Sequence, residues 1–212
     1  MLSASTRVST AALFGIGVGY ELNKWLRADV TGEYRGKTNF RGLDTYGGGS
    51  GVDDYYASKS EWLYLLNLYA DLGTWWCLTP FVGVGLGTAK ANIFDFRDVN
   101  VPTGGVAFGR DASKWNVAWA VHAGVAYEVS STLKLELSYR YVRLGDGITG
   151  DLTTYQGTNN IKNPMEFKEI TSQDIRLGFR WMFDCCDVAP PQPPVVYQPP
   201  PVYQPPPLMR RG

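Results

Sequence analysis

The stretch Trp25-Leu-Arg-Ala-Asp-Val-Thr-Gly-Glu-Tyr-Arg35 decides the fold, because apolar and charged residues alternate along it. A strand places successive side chains on opposite faces, whereas a helix would mix the two sets around its circumference. The stretch therefore predicts a strand with one apolar and one charged face. The apolar set is Leu26, Ala28, Val30, Gly32 and Tyr34, and the polar set is Arg27, Asp29, Thr31, Glu33 and Arg35.

The same alternation recurs along the chain at intervals that predict several strands. It is sharp at 133–143 and 173–183 and weaker in four other segments. Together with 25–35 these make seven predicted strands of about ten residues, the length of a tilted strand that crosses a bilayer. The weaker segments are 12–20, 61–72, 81–91 and 115–128.

The connections between the predicted strands alternate in length. Short connections at 21–24, 73–80 and 129–132 lie on one side of the predicted sheet, and long connections lie on the other. Short turns on one side and long loops on the other are typical of an up-and-down outer-membrane barrel. The long connections, rich in Gly, Asp, Asn and Thr, are 36–60, 92–114 and 144–171.

Composition agrees with an all-β protein and excludes some classes of partner. The 212 residues include 20 basic and 20 acidic side chains, so the chain lacks the basic surplus that binding to nucleic acid requires. No run of about 18 apolar residues occurs, which excludes a transmembrane helix. Aromatic residues make up 14% of the chain and there are 24 glycines, which favours strands over long helices.

Alternation alone leaves open which face meets the solvent. A soluble, lipocalin-like binding barrel would place its apolar face inside, whereas a membrane barrel places it against lipid. Large aromatics near the ends of the apolar face, and Gly and Ala on the charged face, favour the membrane barrel with an interfacial aromatic girdle and a narrow lumen. The predicted girdle residues are Tyr20, Trp25, Tyr34, Trp62, Trp115, Tyr127, Tyr139, Tyr141 and Trp181.

In the membrane orientation the charged face lines the lumen. The predicted inward set contains seven cations and seven anions, so every buried charge has an available partner. A barrel of about eight strands is just wide enough for side chains to fill. We therefore predict an ion-pair network that fills the lumen, with a narrow channel or porin as the alternative. The cations are Arg27, Arg35, Lys90, Lys134, Arg140, Arg176 and Arg180, and the anions are Asp29, Glu33, Glu61, Asp71, Glu128, Glu136 and Asp174.

The composition changes abruptly after Asp187. Ten of the 13 prolines lie in 188–212, including two copies of Val-Tyr-Gln-Pro-Pro-Pro. Such a tract favours polyproline II and cannot enter a central strand. We therefore predict a barrel domain at 1–187 and a Pro-rich periplasmic tail at 188–212, either a solvated tail or a tether to peptidoglycan or a periplasmic protein. Phe183, which closes the last predicted strand, is the predicted assembly signal.

No motif for catalysis or for binding a cofactor or metal stands out. No nucleophile elbow, phosphate loop or metal-ligand spacing is present, and His122 is the single histidine, so a structural role and no enzyme activity or cofactor are expected. Cys77, Cys185 and Cys186 fall on the periplasmic side, which is oxidising. The alternatives are a bridge from Cys77 to Cys185 or Cys186, free thiols, a bond between the neighbouring cysteines and an intermolecular bond.

Four segments carry a resemblance to a known family. They are Gly17–Arg35, which contains an Asn-x-Trp-x-Arg-x-Asp stretch, Pro80–Gly87, Leu137–Tyr141 and Asp174–Trp181. They resemble small alphaproteobacterial outer-membrane proteins of the opacity-type, OmpA-like eight-stranded barrel superfamily, which includes major surface antigens of Brucella and Bartonella. The likeness covers about residues 12–183.

The resemblance implies residence in the outer membrane of a Gram-negative bacterium and a structural or surface-interaction role without enzyme chemistry. The partners it implies are membrane lipid, lipopolysaccharide and the barrel-assembly machinery. The chain departs from the family in two respects: single-chain bacterial barrels have an even number of strands, and no convincing signal peptide is visible. We therefore expect a signal sequence and a first strand upstream of Met1.

Overall fold

The computed structural model describes residues 5–8, 11–46, 51–154 and 164–183, and these residues are folded almost entirely as strands. The chain divides into two compact units, Met1–Trp181 and Met182–Gly212. Within the described residues no helix is long and apolar enough to cross a membrane. The strands are β1 (Ser5–Val8), β2 (Leu13–Glu21), β3 (Leu26–Tyr46), β4 (Gly51–Asp71), β5 (Leu78–Asn100), β6 (Gly105–Gly109), β7 (Ala112–Glu128), β8 (Leu133–Ile148), β9 (Leu152–Thr154) and β10 (Glu166–Trp181).

The long strands form one antiparallel sheet in the order β2-β3-β4-β5-β7-β8-β10. Neighbours in this order are joined along the chain, so the topology is up-and-down. The fold class predicted from alternation is confirmed, and each of the seven predicted strands lies within or largely within one of these strands. Strand β1 pairs with the upper part of β3, and the short strands β6 and β9 extend the sheet from β5.

We call this sheet of long strands the spanning sheet. Within the described residues β2 and β10 are its two edges. Each of them pairs on one side only, β2 with β3 and β10 with β8. Both edges run in the same direction, toward the side of the short turns. One strand that ran the opposite way would therefore pair antiparallel with both edges.

The prediction of long loops at 36–60, 92–114 and 144–171 is wrong for most of their length, because much of this sequence is strand. Strands β3 and β4 have 21 residues each and β5 has 23, about twice the length needed to cross a bilayer. Their register shifts between Arg35 and Thr38, and again between Tyr56 and Ser58. A bulge of this kind breaks the period-two alternation. For this reason the sequence pattern does not show that the strands continue beyond the bulge. We call residues 38–46, 51–57 and 93–109 the outer extension.

The outer extension has an apolar interior of its own. Tyr55, Ala57, Ile93 and Phe96 are buried there as one cluster. Partly buried side chains from the neighbouring strands and segments complete this cluster, and the contributors are Phe40, Leu152, Met165 and Phe167. Burial of apolar surface therefore holds the extension together beyond the membrane-spanning part of the sheet.

The opposite end of the sheet is closed by short turns. In the connection before β5, Trp75 and Leu78 form an isolated bridge, and Trp76 and Cys77 have positive φ values of 50° and 65°. Cys77 is exposed, and its thiol is free within the described part of the chain. Cys185 and Cys186 lie outside the described residues, so the pairing of the three cysteines stays a prediction.

Candidate functional site

The candidate site is the inner surface of the spanning sheet. Along β4 and β5 the inward residues Leu63, Leu65 and Ala89 are buried, whereas the outward residues Leu66 and Leu86 are both 62% exposed. The exposed apolar face is continuous around the strands, as expected of a wall that faces lipid. The inward face therefore holds the side chains that decide what the lumen does.

Arg140 on β8 lies at the centre of the inward face, with none of its side chain exposed. Its Nη1 and Nη2 donate hydrogen bonds of 2.7 and 2.6 Å to the two carboxylate oxygens of Glu33 on β3. Its Nε and Nη2 donate to Asp174 Oδ2 on β10, at 3.0 and 2.7 Å. One guanidinium thus bonds two buried carboxylates, one of them in the bidentate geometry that makes such bonds strong.

Arg35 extends this cluster along β3. Its Nη1 and Nη2 each donate a 2.8 Å hydrogen bond to Asp174, and Nη2 also donates to Ser172 Oγ at 2.6 Å. Its Nε lies 3.3 Å from Glu61 Oε2. Because β3 and β10 lie near opposite ends of the strand order, these bonds tie the two ends together across the lumen. Two further cations complete the cluster, Lys59 at 2.6 Å from Glu61 and Arg176 at 2.9 Å from Glu33.

A second cluster lies nearer the short turns and is centred on Arg27. The guanidinium of Arg27 lies 3.3 Å from Asp71 and 3.4 Å from Glu136. It also stacks over the rings of Tyr69 and Phe81, with its Cζ at 4.1 and 4.7 Å from their centroids. A cation held over two aromatic faces and beside two carboxylates is stabilised by both kinds of contact. The remaining pairs in this cluster are Arg180–Glu136 at 3.2 Å and Lys134–Glu128 at 2.9 Å.

Between the two clusters lies a small polar cavity. Its volume is about 90 Å3, room for a few water molecules. Asn67 donates a 2.7 Å hydrogen bond to Asp29 beside it, and the buried His122 packs against Tyr69 with ring centroids 5.3 Å apart. A Cβ at Gly85 would collide with Asn67 Oδ1, so glycine on β5 makes room for this amide. His122 Nε2 has no hydrogen-bond partner among the described residues.

The structure places thirteen of the predicted lumen residues on the inward face and contradicts the prediction for Lys90. Ala89 and Ala91 are buried on the inside, so Lys90 between them points outward. It lies in register between Trp62 and Trp115, with Nζ 5.9 Å from the Trp115 ring centroid. The reason is parity, because even-numbered residues of this part of β5 face lipid.

Lys59, and not Lys90, is the seventh cation of the lumen. The sequence prediction missed it because the predicted strand began at 61, whereas β4 begins at Gly51. Extension of the alternation by two residues would have found it, since 59 and 61 share a face. Within the described part of the chain this inward set therefore still has seven cations and seven anions, and each of the seven cations lies beside a carboxylate.

The predicted girdle residues lie on the outward face of the spanning strands or in the turn before β3. The rings of Tyr34 and Trp62 lie 4.9 Å apart, and Tyr64, which the sequence prediction left out, lies 6.3 Å from Trp115. Trp119, also left out, packs against Tyr141 at 5.7 Å. The other girdle residues, all exposed, are Tyr20, Trp25, Tyr127, Tyr139 and Trp181.

The prediction that the last strand ends at Phe183 is wrong, because β10 ends at Trp181 and Phe183 lies two residues beyond it.

The charged side chains of the lumen lie in paired contacts. The charged groups of both clusters are engaged with one another, which offsets the cost of removing them from water. Among the described residues no group of three or more His, Cys, Asp and Glu side chains is placed to hold a metal ion. The lumen is thus a set of mutually neutralising ion pairs around a small polar cavity.

Comparison with known proteins gives matches across most of the chain. The family model described as "Outer membrane protein beta-barrel domain" matches residues 3–183. Uncharacterized proteins of Brucella abortus and Brucella suis are 35% and 34% identical over 149 residues, which make up 64% of this chain and 52% of theirs. The chain thus spans about half the length of these curated relatives.

Two further matches are more distant. The outer membrane protein PagN of Salmonella typhimurium is 25% identical over 176 residues, 80% of this chain and 72% of that protein. The crystal structure of Neisserial surface protein A matches with a TM-score of 0.46 and 20% identity, over 86% of this chain and 94% of that chain.

Proposed function

The chain belongs to the outer membrane protein beta-barrel domain family, and from this premise we propose that it is a structural barrel whose lumen is closed by its own side chains. The protein lies in the outer membrane, where lipid covers the apolar outward face of the spanning strands. In this role the barrel maintains the envelope and carries the outer extension into the medium, where it is available for surface interactions.

The observation that carries the proposal is the Arg140 cluster. Arg140 and Glu33 are at most 1% exposed, and they join β8 to β3 across the lumen. Leu63, Val142 and Leu144 are buried at 0% exposure on the same inner surface. Ions cross a pore readily only where water or weakly held charges line a continuous path, and paired, desolvated charges supply neither. We therefore assign the barrel a filled lumen and no catalytic step.

Conductance of planar bilayers tests this proposal directly. We expect the wild-type protein to give no stable unitary conductance, because the Arg140 cluster occupies the lumen. A variant that shortens two members of the cluster, Arg140→Ala with Glu33→Ala, removes the plug while it keeps the charge balance. Steady conductance through the wild-type protein would reject the filled lumen and favour a narrow channel. Heat-modifiable migration on gels would show that both proteins are folded.

The finer family assignment and the partners belong to the same proposal. The identity of 34–35% to the Brucella proteins supports a place among alphaproteobacterial surface proteins. Insertion by the barrel-assembly machinery follows from the outer-membrane location, and the Pro-rich tail at 188–212 is proposed as a tether to peptidoglycan or a periplasmic protein. Deletion of 188–212 is expected to leave heat-modifiable migration unchanged and to abolish co-purification with peptidoglycan.

A further inference from the structure

Lys90 is a cation on the lipid-facing wall, and its height places it just outside the apolar band. It lies twelve residues after Leu78, the first residue of β5. With a rise of about 3.3 Å per residue and a tilt of about 40°, this distance corresponds to roughly 30 Å from the short-turn end. The apolar band of such barrels is about 25 Å tall. Lys90 therefore lies at the level where the headgroups of the outer leaflet begin.

The aromatic neighbours of Lys90 mark the same level. Trp62 and Trp115 flank it in register on β4 and β7, and both indoles are exposed. Tyr34 continues the row on β3. Trp and Tyr prefer the interface between hydrocarbon and headgroups, and a lysine there extends its ammonium toward the polar side.

Lys90 has no carboxylate partner within the described ranges, unlike the outward cations Lys37 and Arg143. Lys37 on β3 pairs with Asp95 at 2.9 Å, and Arg143 on β8 pairs with Glu169 at 2.9 Å. Among the residues that the structure describes Lys90 is in no ion pair, and its ammonium lies over the Trp115 ring. Its positive charge therefore remains available to an anion supplied from outside the chain.

The next outward row on the same strands is polar. Asn92 lies two residues after Lys90 on the same face of β5, and the register places the exposed Ser113 and the buried Ser60 beside it. The Asn92 amide makes only long contacts of 3.4 and 3.5 Å to Ser60. Amide and hydroxyl groups directly above a cation and two indoles suit a ligand that carries both a phosphate and sugar hydroxyls.

We propose that the Lys90 patch, formed by Trp62, Lys90, Asn92, Ser113 and Trp115, binds the phosphorylated diglucosamine of lipopolysaccharide in the outer leaflet. The ammonium of Lys90 pairs with a lipid A phosphate, and the indoles pack along the sugar and the upper ends of its acyl chains. Asn92 and Ser113 donate hydrogen bonds to sugar oxygens. A basic residue near a charged membrane surface contributes about 1 kcal/mol, or about fivefold in affinity.

The test measures lipid binding to the detergent-purified full chain by native mass spectrometry. The probes are bisphosphorylated lipid A, the same lipid without phosphates, and phosphatidylglycerol. We expect Lys90→Gln to lower affinity for bisphosphorylated lipid A about fivefold and Lys90→Arg to retain it. Lys37→Gln is the matched control, since this lysine is outward but already paired, and its affinity should equal that of the wild type.

Two results would overturn the inference. One is equal binding of bisphosphorylated lipid A by the wild type and Lys90→Gln. The other is an equal, Lys90-dependent affinity for phosphatidylglycerol, which would mean that the patch binds any lipid phosphate and does not select the glycolipid. Heat-modifiable migration of every variant separates loss of binding from loss of folding. Conductance is measured independently, so neither result bears on the filled lumen.

Discussion

The spanning part of the sheet and the outer extension are built from the same strands, yet their interiors differ: the spanning part buries a network of ion pairs beside apolar side chains, and the extension buries an apolar cluster. In the spanning part the buried side chains include Arg140 and Glu33, and the exposed wall is apolar. In the extension Tyr55 and Phe96 are buried, whereas the charged pair of Arg41 and Asp54 lies on the outside. Strands β3, β4 and β5 run through both parts without interruption.

The difference follows from what surrounds each part. Lipid solvates an apolar wall, so the spanning strands do not depend on apolar burial alone and can hold paired charges inside, beside Leu63 and Val142. Water surrounds the extension, so burial of apolar side chains is the force that keeps its strands together. The bulge between Arg35 and Thr38 moves the inward positions of β3 from odd to even numbers at the boundary between the two parts.

Replacement of Arg140 by leucine is expected to have the largest effect, because it leaves Glu33 and Asp174 buried with fewer cations. Removal of one partner from a buried ion pair costs about 3–5 kcal/mol. We expect the free energy of unfolding to fall by about this amount in urea titrations of protein folded into phospholipid vesicles, followed by tryptophan fluorescence.

The matched control for Arg140→Leu is Arg143→Leu on the same strand. Arg143 faces outward, and its pair with Glu169 is largely solvent-exposed, with side-chain exposures of 42% and 74%. Exposed pairs contribute about 1 kcal/mol or less. Equal losses of stability in the two variants would show that the lumen pairs are no more important than surface pairs. The spanning part would then not depend on its buried charges.

Replacement of Phe96 by alanine tests the apolar interior of the outer extension. Loss of a buried phenylalanine costs about 3 kcal/mol or more, but here the cost falls on the extension alone. We expect faster tryptic cleavage in the extension of vesicle-embedded protein, with heat-modifiable migration unchanged. Phe108→Ala is the control, since Phe108 is 42% exposed. Unfolding of the whole barrel in Phe96→Ala would show that the two parts are not separate in stability.

The spanning strands were predictable from the sequence because lipid on one side and a charged lumen on the other impose a strict period of two. Segment 25–35 of β3 shows this most clearly. The extension was not predictable in the same way, because bulges shift the period and both of its faces carry Gly, Asp and Thr, which are typical of loops. The difference between the two interiors cannot be predicted for the same reason, since it depends on strands whose sequence is typical of loops.

The lumen was largely predictable as a set of charges, and its single error concerns two lysines. Lys90 was placed inside because it is charged, although its parity put it outside with Val84 and Leu86. Lys59 was missed because it lies beyond the predicted end of its strand. Which cation pairs with which anion could not be predicted, because the pairs join strands far apart in the sequence, such as Arg35 with Asp174.

Lys59 and Lys90 allow a sharper test with a smaller expected effect, because one is an inward and the other an outward cation of the spanning part. Lys59→Met removes an inward cation, but Glu61 keeps Arg35 as a partner, so the expected loss is about 1 kcal/mol. Lys90→Met removes an outward cation at the interface, where a charge costs about 0–1 kcal/mol, so stability should be unchanged or slightly higher. Urea titration in uncharged phospholipid vesicles without lipopolysaccharide measures both. A larger loss in Lys90→Met would mean that Lys90 is a member of the lumen network.

The smallest effect is expected on the outside of the extension, where Arg41 donates hydrogen bonds of 3.1 and 2.7 Å to Asp54. These bonds, with a further one from Tyr56, hold the pKa of Asp54 below its usual value. A lowered folded-state pKa means that the stabilisation is present above the unfolded pKa of about 3.9 and is lost as the pH falls through the folded value. In Arg41→Gln the pKa of Asp54 should rise toward normal, which an NMR titration of its carboxyl carbon measures. Because the Arg41 side chain is 55% exposed, solvent screens this pair, so the unfolding free energy at neutral pH should hardly change, and a large loss would show that the wall of the extension, like the lumen, depends on charge.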